Sequence, residues 1–105
     1  MAWREGRLGR RMTLRVRVFL ESLDGSKPRE ITHTENVSTL GLCALSQCAW
    51  RVREELGVIV AHSGPQRHAR VVHCTPREDG RFAVGIAWGS APINWADVVP
   101  EAAAS

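Results

Sequence analysis

Arg10-Arg11-Met12-Thr13-Leu14-Arg15-Val16-Arg17-Val18-Phe19-Leu20 runs a cluster of guanidinium groups straight into a strand. Leu14, Val16, Val18 and Leu20 alternate with Arg15, Arg17 and Phe19, the period of two that marks a half-buried β-strand. Ahead of the alternation, Arg10, Arg11 and Arg15 place three charges in six residues. Arginine keeps its charge near neutrality, presents a planar fork of donors and stacks on flat rings. Such a cluster suits an anionic ligand that carries aromatic bases.

The same alternation recurs along the chain, separated by turn residues. Leu23-Asp24-Gly25-Ser26 supplies a turn, and Pro28 leads into a returning strand on which Ile31, His33, Glu35 and Val37 are expected to share a face. Gly41-Leu42-Cys43-Ala44-Leu45 reads as a third, central strand. Residues 46 to 55 read either as an extended lead-in or as a helical turn around Trp50-Arg51-Val52-Arg53. Leu56-Gly57-Val58-Ile59-Val60-Ala61 is a fourth strand whose glycine marks a turn or bulge. Ser63-Gly64-Pro65-Gln66 breaks the chain, His68 to Thr75 returns, and Pro76 to Gly80 turns again. Phe82, Val84, Ile86 and Trp88 then face one way on a last strand. Six short strands at such intervals predict an all-β antiparallel barrel or sandwich. Ile93-Asn94-Trp95-Ala96-Asp97-Val98-Val99 has room for two helical turns, capped by Asn94 and broken at Pro100.

With 105 residues the chain makes one domain with a single modest core. We divide it into an arm over residues 1 to 9, a barrel over 10 to 99 and a tail over 100 to 105. The arm has no hydrophobic period, and its Gly6 and Gly9 favour flexibility in the absence of a ligand. No run of 18 apolar residues occurs and the N-terminus lacks an apolar signal segment, so a soluble, cytoplasmic protein with no membrane partner is expected. Cys43, Cys48 and Cys74 are three, an odd number, and are expected as reduced thiols. The overall charge of +3 is uneven: residues 1 to 17 hold six arginines and one glutamate, +5, which leaves −2 for the rest. A nucleic-acid binder would spread its positive charge along a track, so nucleic acid is not the expected partner.

A second polar motif follows the first by one hairpin. In Asn36-Val37-Ser38-Thr39-Leu40-Gly41, an extended chain turns Asn36 and Ser38 to the same side. Asn36-x-Ser is also a formal glycosylation triplet, without meaning in the cytoplasm. Arg11-x-x-x-Arg15 followed by Asn36-x-Ser38-x-x-Gly41 resembles the paired motifs of the PilZ domain family, bacterial receptors for cyclic di-GMP. The last hairpin, Arg70-Val71-Val72-His73-Cys74, the turn Glu78-Asp79-Gly80 and Phe82 to Trp88, agrees with that resemblance, which spans about Arg10 to Trp88.

The resemblance implies a six-stranded barrel with a short C-terminal helix and a non-enzymatic receptor that passes its signal to another protein. It implies Arg10, Arg11, Arg15, Asn36, Ser38 and Gly41 as the ligand site. A guanidinium matches guanine O6 and N7 or a phosphate bidentately. Asn36 can accept from a guanine N–H, Ser38 can donate to phosphate, and Gly41 permits close backbone approach or a positive φ. Where many family members have Asp, Asn36 removes a negative charge beside the anion. An arginine at the position of Arg10 implies a second ligand molecule. Arg11 and Arg15 either span the ligand from an extended segment, about 13 Å apart, or converge from a turn.

Other chemistry is weaker in the sequence. His33, His62, His68, His73 and the cysteines lack the paired close spacings of zinc sites, and no catalytic grouping stands out, so neither metal nor cofactor is expected. Trp3, Trp50, Trp88 and Trp95 read as core or docking residues. The competing functions are a barrel without nucleotide binding that acts as a protein adaptor, and a barrel that binds single-stranded nucleic acid through its arm. The intact motifs count against the first and the absence of aromatics among the arginines against the second.

Overall fold

The computed structural model describes residues 11–60, 64–89 and 91–98. The described strands are β1 (Arg17–Ser22), β2 (Glu30–Ser38), β3 (Gly41–Ser46), β4 (Glu55–Val60), β5 (Arg67–Pro76) and β6 (Phe82–Trp88), followed by a short helix α1 (Trp95–Val98). They close into an antiparallel barrel in the order β1-β2-β3-β6-β5-β4, with β4 returning to pair with β1. The expected six-stranded barrel and C-terminal helix are both present, the helix spanning one turn among the described residues. Arg10, the arm, His62, Trp3 and the tail lie outside the described residues.

Period-two burial explains most of the wall. Val16, Val18 and Leu20 point inward, as do Leu56, Val58 and Val60, and Val84, Ile86 and Trp88 from β6. Each fully buried aliphatic side chain contributes roughly 1.5 to 3 kcal/mol of transfer free energy. Trp50, whose Nε1 donates to Ser46 Oγ at 3.1 Å, closes one end of the barrel. Ile93 and Trp95 close the other, where the Trp88 and Trp95 rings lie 6.5 Å apart.

Three local expectations are corrected. Ile31, His33 and Glu35 do not share a face with Val37: the register of β2 shifts between Thr34 and Asn36. Two residues there oppose one on the partner, and the strand changes phase, so Val37 is fully buried while Ile31 is 62% exposed. Gly57 makes neither turn nor bulge. β4 runs through it in regular register with β1 and β5, and the Gln66 side chain lies where a Cβ would stand. Residues 51–54 form a turn rather than a lead-in or a helix. Its tight point is Arg53, with a left-handed φ of 79°, whose N–H donates to Val71 O. β3 is paired on both sides, between β2 and β6, and nearly all of it is buried.

Candidate functional site

The chain ahead of β1 is tied to β2 at two points. Met12 and Val37 exchange backbone hydrogen bonds of 2.8 and 2.9 Å, an isolated antiparallel bridge. Nearer β1, the buried Thr34 hydroxyl accepts from Val16 N–H at 2.9 Å and donates to Leu14 O at 2.6 Å. Thr34 thus repairs the ladder where the bulge interrupts it, satisfying backbone groups that would otherwise be stranded. These anchors hold the segment from Met12 to Val16, with Arg11 just ahead of it, alongside β2.

The bridge at Met12 sets Arg11 beside the end of β2. Arg11, Asn36 and Ser38 line one shallow depression, together with Leu42, Cys43, Val72, His73, Gly85 and Ile86. Strand register explains the grouping. Asn36 pairs with Cys43, Cys43 with Gly85, and Gly85 with His73, so four consecutive strands contribute one row to the outer surface. The next row runs Ser38, Gly41, Ala87, Arg70. Small side chains occupy the middle strands and polar ones the flanks, which leaves a trough across the wall. The lining includes a guanidinium, a carboxamide, a hydroxyl and an imidazole, and no carboxylate. That set offers hydrogen bonds and positive charge to a flat anion.

Arg15 is exposed and is not part of this lining; it lies near His33. Partial burial and then the charges of Arg15 and Arg17 hold the His33 imidazole below its ordinary value. Gly41 has a structural role. A Cβ there would collide with the carbonyl oxygen of Ile86, so the residue permits close approach of β3 and β6, and its φ is not left-handed. Of the two reasons a glycine could stand at this position, close approach is the operative one.

His73 and Gly85 are site residues that the motifs did not single out. The imidazole of His73 lies over the Cα of Gly85, in the space a Cβ would fill. Their pairing was within reach of the sequence, because a hairpin centred on Asp79 puts Pro76 opposite Phe82 and, three pairs further on, His73 opposite Gly85. The second register shift, between Val71 and His73, comes just beyond this pair and keeps Val71 in the core while Val72 and His73 line the trough.

Behind the trough, the C-terminal segment grips the turn between β2 and β3. Trp95 Nε1 donates to Ser38 O at 2.6 Å, and Ile93 N–H donates to Thr39 O at 2.8 Å. The backbone that presents Ser38 is therefore shared between the candidate site and α1. A second hollow, at the Trp50 end, is lined by Leu23, Asp24, Arg51, Arg53, Glu54 and Glu55 and mixes both charges. Among the described residues no three His, Cys, Asp or Glu side chains gather as a metal site, and no helix is long and apolar enough to cross a membrane. Comparison with protein-family models, with curated proteins and with solved structures gave no match.

Proposed function

We propose that the protein is a receptor for cyclic di-GMP of the PilZ kind, a binding module rather than an enzyme, acting in the cytoplasm. The observation that carries this reading is the bridge between Met12 and Val37, which gathers Arg11, Asn36 and Ser38, two separate motifs, onto one trough. Cyclic di-GMP has two phosphodiesters and two guanines, and the trough offers a donor fork, an amide and a hydroxyl on a floor of small side chains. Arg11 takes a phosphate or a guanine edge, Asn36 a guanine N–H, and Ser38 the phosphate. Arg15, four residues along the same tethered segment, reaches the far end of the dinucleotide, and Arg10 receives a second, stacked ligand molecule.

Capture orders the Arg-rich arm ahead of the tethered segment, at a conformational cost that charge-assisted contacts of about 1.5 to 3 kcal/mol each must exceed. The signal leaves through Ser38 O and Trp95 towards α1 and a downstream protein. Calorimetric titration with cyclic di-GMP, with GTP and a short oligonucleotide as controls, tests the reading. Micromolar or tighter binding of the cyclic dinucleotide alone is the expected result. No heat with any nucleotide returns the molecule to the adaptor class, and salt-sensitive binding of the oligonucleotide alone returns it to the nucleic-acid class.

A further inference from the structure

On the wall away from the trough, the outward positions of β1 carry Arg17, Phe19 and Glu21 in that order. Phe19 pairs with Ile31 of β2 on one side and with Ile59 of β4 on the other, so an apolar row crosses three strands. Ile31 is 62% exposed and its two neighbours are partly so. In a barrel wall, period-two alternation would ordinarily put polar groups at outward positions. Three apolar side chains abreast make a patch rather than a single exposed residue.

On β1 the two sides of the row carry opposite charges. On one side Arg17 is exposed and pairs across the sheet with His33. Among the described residues Arg17 takes part in no salt bridge. On the other side Glu21 accepts from the neutral Gln66 amide at 2.9 Å and keeps its negative charge unbalanced. Arg29 stands on the Glu21 side, one residue beyond the pair of Leu20 with Glu30, and lies over the Phe19 ring with its guanidinium carbon 4.9 Å from the ring centroid. Along β1 the face therefore reads positive, aromatic, negative.

We propose that this face docks a second copy of the chain, about a twofold axis that crosses the strands at Phe19 and sets the two β1 strands antiparallel. The order of charge selects that occupant. With one copy reversed end for end, Arg17 of each meets Glu21 of the other, the Phe19 rings meet at the axis, and Ile31 and Ile59 each meet their own equivalents. Arg29 then faces His33 of the second copy, whose imidazole is held below its ordinary value by partial burial and by the charges of Arg15 and Arg17, and is uncharged near neutrality. An acidic segment would set its carboxylates against Glu21, and a basic one its cations against Arg17 and Arg29. The closed barrel leaves no strand edge for a second copy to extend, so association must use side chains on a face. The apolar row is small, which makes the dimer a weak one, and the trough lies outside it.

The test is sedimentation equilibrium of the full chain from about 10 μM to about 1 mM, with amide NMR over the same range. The chain should pass from monomer towards dimer as concentration rises, with the amides of Phe19, Ile31 and Ile59 shifting together. Ile31→Asp should weaken association about tenfold or more. Arg17→Glu and Glu21→Arg should each weaken it too, because each variant carries one sign of charge on both sides of Phe19. Mixed in equal amounts, the two variants should associate about as tightly as the native chain, and less so as salt rises. Misfolded variants would show no such rescue. A monomer at every concentration, a dimer that Ile31→Asp leaves intact, or a mixture no tighter than its components would each overturn the proposal. None of these measurements involves cyclic di-GMP, so the two proposals stand or fall separately.

Discussion

At the scale of single residues, two glycines on the same wall carry different costs. A Cβ at Gly41 meets the Ile86 backbone carbonyl, which cannot move without moving β6; a Cβ at Gly85 meets the His73 ring, which can rotate away. Gly41→Ala is therefore expected to lose about 1 to 3 kcal/mol in urea unfolding. Gly85→Ala should lose less and instead displace His73, a change visible in the imidazole NMR signals. Arg11 and Arg15 also separate at this scale. Arg11 lines the trough with Asn36 and Ser38, whereas Arg15 sits outside it. For cyclic di-GMP binding, Arg11→Ala is expected to lower affinity tenfold to a hundredfold, about 1.5 to 3 kcal/mol, with Arg15→Ala no more severe. Calorimetry on the two variants gives the ranking.

At the scale of elements, β2 serves two surfaces because its bulge changes the phase of the strand. Before the shift Ile31 points out beside Phe19; after it Val37 points in, and Asn36 and Ser38 line the trough. Thr34 makes this arrangement tolerable by bonding both Val16 N and Leu14 O. Thr34→Val keeps the volume and removes both bonds, leaving a buried N–H without its acceptor. A loss of about 1 to 3 kcal/mol in denaturant unfolding is expected. The same change loosens the segment that carries Arg11, so cyclic di-GMP affinity should also fall although Thr34 lies outside the lining. A variant that loses stability but keeps full affinity would show that the tether does not position Arg11.

At the scale of the molecule, the end of the barrel opposite α1 is held by a polar plug. Lys27 Nζ lies 4.6 Å from the Trp50 ring centroid and 2.6 Å from Glu54 Oε2, and Arg51 N–H donates to Glu54 Oε1 at 3.0 Å. The Glu54 side chain is 8% exposed. Burial opposes its ionisation, but the bonds from Lys27 and Arg51 and their positive charges outweigh burial, and the carboxyl stays below its ordinary value of 4.5. A folded-state value below the unfolded one stabilises the protein above pH 4.5, and that contribution disappears as pH falls through the folded value. Thermal melting across pH 2 to 7 should therefore show a decline beginning near the ordinary glutamate range. Glu54→Gln should flatten that decline and lower stability at neutral pH by about 1 to 3 kcal/mol, since Lys27 loses its counter-charge.

Alternation in residues 16 to 20 and 82 to 88, and the turn residues between runs, determined that this is a six-stranded β protein, because side-chain direction in a strand is local and repeats every second residue. The motif spacing likewise marked Arg11, Asn36 and Ser38 before any contact was known. Only the tertiary structure decided how those residues meet. Closure of the sheet chose which strands are neighbours, and the shifts at Thr34 and Val71 chose which side chains turn outward. It was the pairing of the distant strands β1 and β4 that set Ile59 beside Phe19 and Ile31, and the folded chain that left Arg15 outside the trough. A bulge is a bargain between two strands, and neither strand carries it in its own sequence.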